Sequence, residues 1–306
     1  MSSPAPLLAG VELGGTKCVC VLGTGPGDVR ATARVPTAAP GETLARLAAV
    51  LDGWHAEHGP AAALGIASFG PLDLDAGSPG YGSITASAKR GWSGTRVIEA
   101  LARGRAVPVG FNTDVNAAAL AEGRWGASRG LADHAYVTVG TGVGVGLVIG
   151  GRTVLGCHHT ELGHVRVARA PGDLWPGACP YHGACVEGLA CGPAIAARAG
   201  RPVEQVAAGD PLWPLVAHAL GGLLQVMVLA TAPRRIVLGG GVLEARPALR
   251  AEVRQALATG LGGYLDPGRV LGDLERYVVA PGLGALSGPL GALALAADAH
   301  AGAPAA

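Results

Sequence analysis

Between Cys179 and Cys185, in the run CPYHGAC, the chain sets two thiols and an imidazole, Cys179, His182 and Cys185, at steps of three. Thiolate and imidazole are the donors that suit zinc and its neighbours, so this spacing points either to a metal or to plain burial of small side chains. Six cysteines are spread over 306 residues, and the opening MSSPAPLLAGVELGG lacks the basic and apolar regions of a secretory signal. A disulfide framework is therefore disfavoured, and a cytoplasmic location is expected. Glycine suggests a second chemistry. Successive backbone amides in a glycine turn converge on an anion without a side chain in the way, and two turns offer this: Gly14-Gly15-Thr16-Lys17 and Gly140-Thr141-Gly142-Val143-Gly144. Facing one cleft, they could hold a polyphosphate. GTGVGVG loosely resembles a dinucleotide fingerprint, but it runs into the strand-like LVIGG where that fingerprint needs a helix. Asp114 stands after the strand-like VPVGF at the start of a helix, where an acidic residue also answers the helix dipole.

The elements that must position these groups follow from periodicity and punctuation. LLAGVELGG and KCVCVLG read as a hairpin, GETLARLAAVLDGWHAEHG as a helix stopped by glycine, and ALGIASFG as a buried strand closed by Gly70-Pro71. Residues 71–94 carry no periodicity, and connections of that length are usually functional. VPVGFNTDVNAAALAEGRWG gives strand, turn and helix, with Asn112 or Thr113 as the cap. DHAYVTVGTGVGVGLVIGGRTV repeats the N-terminal grammar about 125 residues later, and PRRIVLGGGVLEARPALRAEVRQAL is strand, glycine turn, helix. A duplicated α/β architecture of two domains, divided near Asp114, is the expectation, and the length agrees with two cores.

Composition narrows the partners. The formal net charge is +1 with charged residues at 15%, and no basic run or acidic tail is present, so a nucleic-acid partner is not expected. The apolar stretches LLQVMVLATA and GALALAADA are too short or too polar to cross a bilayer of about 30 Å, which leaves no membrane partner and a soluble chain. Among 23 basic residues only Lys17 and Lys89 are lysine, so each invites a local reason.

Taken together, GVELGGTK, NTDVNAAALAEG, VTVGTGVGVGLVIGG, ELGH followed by CPYHGACVEG, and the late LGGG closely resemble the ROK family of sugar kinases, and within it the bacterial fructokinase branch. The resemblance implies the actin-like ATPase (ribonuclease H-like) fold, two α/β lobes of duplicated βββαβαβα-type topology. Residues 1–114 would form the first, with a C-terminal helix at about 286–306 packed back on it, and 115–285 the second, carrying a structural zinc loop. It makes Gly14, Gly15, Thr16 and Lys17 the first phosphate turn and Thr141 and Gly142 the second. Pro193, Gly239, Gly240 and Gly241 would border the nucleotide, and Asp114 would be the catalytic base. Polar groups for the sugar would be Asn112, Glu161, His164 and Glu187, with Lys89 and Trp92 in a loop closing over it.

Phosphoryl transfer fits this set, because its catalysis is mostly positioning and charge stabilisation, with magnesium on the phosphates of ATP. Glu12 stands where wider relatives carry an aspartate near that metal. His164 joins Cys179, His182 and Cys185 as the fourth ligand of a zinc site that is closed and hence structural. His158 and His159 are read as solvent-facing or supporting residues, and Cys18, Cys20, Cys157 and Cys191 as small buried or partly buried side chains. Thr113 before the aspartate and the loop CPYHGACVE, in place of the glucokinase pattern CxCGxxGCxE, favour fructose over glucose. Kinases of glucose, mannose or another hexose remain the alternatives, as does a non-catalytic sugar sensor or regulator. A homodimer is implied.

Overall fold

The computed structural model describes residues 5–265, 268, 270 and 272–302, so the last four residues of the expected C-terminal helix, 303–306, lie outside the described residues. The first half of the chain builds β1 (Leu8–Leu13), β2 (Lys17–Gly25), β3 (Asp28–Pro36), α1 (Pro40–His58), β4 (Ala63–Ser68), α2 (Val97–Ala102), β5 (Val109–Thr113) and α3 (Asp114–Trp125). The second builds β6 (His134–Val139), β7 (Val143–Ile149), β8 (Arg152–Thr153), α4 (Val186–Ala190), α5 (Gly192–Ala199), α6 (Leu212–Thr231), β9 (Ile236–Gly239), α7 (Gly241–Ala245), α8 (Leu249–Leu261), α9 (Leu274–Tyr277), β10 (Val278–Val279) and α10 (Ser287–His300).

One sheet runs β3-β2-β1-β4-β5 and the other β10-β9-β6-β7-β8. The orders are the same once β6 is matched to β1, and so are the directions: an antiparallel meander of three strands, then two parallel additions. The duplication expected from the repeated strand and glycine-turn grammar is thus present, in the two-lobed actin-like arrangement.

Each copy ends in a helix that leaves its own sheet. α3 packs on β6 and β7 of the second sheet, α10 packs on β1, β4 and β5 of the first, and the two helices touch along their length. Their sequences explain how. Ala117, Ala118, Ala119 and Ala121 on α3 and Ala292, Ala294 and Ala296 on α10 are buried, so both helices are thin on several faces. The sheet supplies matching grooves: Gly10, Gly65 and Gly110 lie side by side on β1, β4 and β5. A Cβ on Gly65 would stand 1.8 Å from the Ala292 carbonyl oxygen, and one on Gly110 2.3 Å from that of Leu295.

A buried carboxylate ties the exchange together. Glu122 Oε1 accepts from the Leu283 amide at 3.0 Å and the Ser287 hydroxyl at 2.7 Å, while Oε2 accepts from the amides of Ala127 at 2.6 Å and Gly282 at 3.0 Å. Four donors around one charge offset its desolvation. α6 is long and apolar enough to cross a membrane, but much of it is buried in the second core against Val253 and Leu257 of α8.

Two glycine substitutions should move stability in opposite directions. Gly65→Ala should cost about 3 kcal/mol, because α10 must retreat from its groove. Gly53→Ala, in the middle of α1 with nothing within 4 Å of a new Cβ, should gain about 0.5–1 kcal/mol. Urea unfolding measures both, and equal effects would show that α10 is not held by close backbone contact.

Candidate active site

The two glycine turns occupy equivalent places in the two copies, Gly14 to Thr16 between β1 and β2 and Gly140 to Gly142 between β6 and β7. They face each other: a Cβ built on Gly15 would lie 4.0 Å from Thr141 Cγ2. Lys89 reaches the first turn from 74 residues away and donates from Nζ to the Gly15 carbonyl at 2.5 Å. Placed by sequence in a loop over the sugar, it comes instead to the first glycine turn, where Lys17 also stands.

Asp114 is the first residue of α3. Thr113 caps the helix, its hydroxyl accepting from the Asn116 amide at 3.2 Å, and Asp114 Oδ1 accepts from the Val115 amide at 2.9 Å. Burial pushes the Asp114 carboxyl up to about 7; the charge of Glu12 adds to this, the Val115 amide opposes it, and Glu161 adds a little more. Glu12, near the end of β1, is also pushed up to about 7 by burial, with Lys17 opposing. The charge of Glu12 thus reaches Asp114, and near neutral pH both carboxyls are partly protonated. A base poised near the working pH is what proton removal from an alcohol calls for.

His164 Nδ1 lies 3.6 Å from Cys179 Sγ, 3.6 Å from Cys185 Sγ and 3.3 Å from His182 Nδ1, and Cys179 Sγ is 3.6 Å from His182 Nδ1. All four donor atoms fall within 4.8 Å of one another. A tetrahedral zinc with Zn–N near 2.05 Å and Zn–S near 2.3 Å demands N–N edges of about 3.4 Å and N–S edges of about 3.6 Å. The donor set and its spacing therefore fit that ion.

The far nitrogen of His164 faces a carboxylate, Nε2 being 3.8 Å from Glu187 Oε1. Glu187 Oε2 in turn accepts from the Val143 amide at 3.1 Å, at the end of the second glycine turn. The cluster is thus joined to that turn through two side chains. α5 closes on the same turn, with the Gly192 amide donating to Gly140 at 2.8 Å. Beside it opens a cavity of about 770 Å³ lined by Thr141, Pro193 and Gly241 among others. Gly239 and Gly240 lead into it at the end of β9. The Arg246 guanidinium lies 4.6 Å above the Trp213 ring on its wall, a pair that the sequence reading did not single out.

Two expected sugar contacts sit elsewhere. Asn112 is 2% exposed: Oδ1 accepts from the Thr113 amide and from Asn116 Nδ2, both at 2.8 Å, and Nδ2 donates to Thr153 Oγ1 at 3.2 Å. With its polar atoms taken up by these partners it is a buried brace under the α3 N-terminus. Trp92 is fully buried, packs edge-on to Phe69 and donates from Nε1 to the Ala38 carbonyl at 3.2 Å, so it anchors its loop from below. Cys157 is exposed, where a buried or partly buried thiol was expected, and His159 is buried, in the supporting setting that was one of its two expected ones. Glu161 and Glu187 keep carboxylates beside the crevice, the former acting on Asp114 through its charge.

The ROK family matches residues 8–299. A fructokinase from Zymomonas mobilis subsp. mobilis is 40% identical over 290 residues, covering 94% of this chain and 95% of that one. A fructokinase from Pediococcus pentosaceus is 38% identical, covering 95% and 97%. The structure of a ROK hexokinase from Thermus thermophilus superposes with a TM-score of 0.77 at 31% identity, covering 95% of this chain and 98% of that one. With a family match over nearly its whole length and relatives this similar throughout, the chain belongs to the ROK family.

Proposed function

We propose that the protein is an ATP-dependent fructokinase that forms fructose 6-phosphate. The observation that carries this is the approach of Gly15 to Thr141, two glycine turns from duplicated lobes, with Asp114 near enough to feel the charge of Glu12 on the strand that leads into the first turn. Gly14, Gly15 and Thr16 on one side and Thr141 and Gly142 on the other would cradle the phosphates, with Lys17 and Lys89 adding positive charge. The cavity at Pro193 and Gly241 would take the adenosine. Asp114 would accept the proton from the sugar hydroxyl as its oxygen attacks the terminal phosphorus of ATP, whose bond to the bridging oxygen breaks to release ADP. Magnesium would supply charge neutralisation on the phosphates, with Glu12 the nearest acidic group of the first turn to be offered to it.

Glu161, His164 and Glu187 would meet the remaining hydroxyls of the sugar. The four-ligand cluster would hold a structural zinc, since four protein donors leave no position for an activated water. Fructose is supported over other hexoses by the names of the relatives matched at 38–40% identity. The reading extends to a homodimer acting in the cytoplasm, and to lobes made of residues 1–114 with the helix at 286–306 and of residues 115–285.

Asp114→Asn should lower kcat for fructose by about 10³-fold or more while fructose affinity stays within a few-fold, in a coupled ADP assay paired with calorimetry. Near-normal turnover would remove Asp114 from the chemistry. The base must be ionised, so kcat/KM should fall about tenfold per unit as pH drops below about 7. Glu12→Gln removes a like charge, lowers the Asp114 pKa and should move that acid limb down by about one pH unit, read from pH–rate profiles. Elemental analysis should find one zinc for each chain, and Cys179→Ser with Cys185→Ser should lose both the metal and several degrees of Tm.

A further inference from the structure

We propose that His159 is a positioning residue that couples the first lobe to the carboxylate of Glu161, and so sets how that carboxylate meets a sugar hydroxyl; the inference rests on the fructokinase reading. His159 is 2% exposed, in a segment of the second lobe folded back by the bridge from Leu155 to His159. Its Nε2 lies 2.9 Å from the backbone nitrogen of Leu72, 87 residues away, in the loop that follows β4 of the first sheet. Leu72 itself is packed in the first lobe's core.

The direction of that hydrogen bond decides the chemistry of the ring. A backbone amide can only donate, so Nε2 must carry its lone pair, and a neutral imidazole then holds its single proton on Nδ1. Burial lowers the affinity of the ring for a second proton, which agrees with the neutral form. Nδ1 stands 3.5 Å from Glu161 Oε1 and 3.4 Å from the Thr160 carbonyl, so its proton lies between two oxygens. The first lobe therefore fixes the tautomer, and the tautomer turns a donor toward Glu161.

The same corner is shaped for this contact. A Cβ on Gly70 would lie 3.3 Å from His159 Cε1 and 3.5 Å from Glu161 Oε1, so the backbone of the first lobe covers ring and carboxylate together. Glu161 keeps its other oxygen for a ligand. Movement of Leu72 relative to the second lobe would release the ring, and with it the orientation of Glu161.

His159→Gln can still accept from Leu72 but lacks the donor at the Nδ1 position, and His159→Asn keeps a donor there but lacks the acceptor. Each should raise KM for fructose about tenfold or more with KM for ATP within about twofold. On a Glu161→Gln background the same changes should add less than about twofold, since the path they act through is already cut. Effects that multiply fully with Glu161→Gln, or that weaken ATP and fructose alike, would overturn the coupling. If the variants do not fold, long-range ¹⁵N–¹H spectra of the wild-type ring decide: an Nδ1-protonated neutral imidazole supports the proposal, and any proton on Nε2 refutes it. Wild-type turnover of fructose is scored separately. If it is absent, the fructokinase reading fails, and the same variants are read with whichever hexose the wild type phosphorylates.

Discussion

Close contact of backbone with backbone around α3 and α10 is the constraint on which the rest of the molecule depends. Where glycine and alanine bring backbone against backbone, a larger side chain would have to push a helix or strand aside. The contacts are tight on every side: a Cβ on Gly146 of β7 would meet the Val115 carbonyl oxygen at 2.0 Å, and one on Gly291 of α10 the Ala117 carbonyl carbon at 2.4 Å. Interiors packed this closely transmit small changes of volume instead of absorbing them. Because Asp114 opens α3, the glycines that seat the helix also fix where its carboxylate stands.

Electrostatics in the crevice follow from this geometry. Glu12 and Asp114 are brought together by β1 and α3, elements with no register of their own, and both carboxyls rise because burial removes water that would otherwise screen them. The only two lysines of an arginine-rich chain, Lys17 and Lys89, come to the first glycine turn. A compact ammonium on a flexible stem fits against a carbonyl where a planar guanidinium would need more room, which is a physical reason for lysine at these places.

The sequence made the duplicated topology legible because glycine turns punctuate strands at matching places, and a turn is a local property. Asp114, the two turns and the four-ligand cluster could be read for the same reason, each being a short run of unusual composition. What stayed hidden depends on which way a side chain points after distant segments meet. Asn112 and Trp92 carry polar groups suited to a sugar, yet their partners, Thr153 and Ala38, lie 41 and 54 residues away and take those groups into the interior. Glu122 looked like an ordinary helix residue, and only the return of the chain at Gly282 to Ser287 gives it four donors. The six-residue α2 was missed inside a stretch too short for periodicity to show.

The four-donor cluster is linked to the second glycine turn. Its loop is folded by backbone bonds between Cys179 and Gly183 in both directions, and Cys185 caps α4 through the Gly188 amide. Neither feature fixes the distance from the loop to the second glycine turn. That distance is carried by His164, whose Nδ1 belongs to the cluster and whose Nε2 faces Glu187, and by Glu187, which holds the Val143 amide. An imidazole held by a metal through one nitrogen would present the other at a set place to the next group. Binding energy spent on ordering such a loop appears as folding energy of the wall it supports. With the zinc proposed above in place, the cluster would act as a strut for the turn at Thr141 and Gly142, so that glycine contacts would set the crevice wall on the side of Asp114 and thiolate and imidazole donors the wall on the side of Glu187.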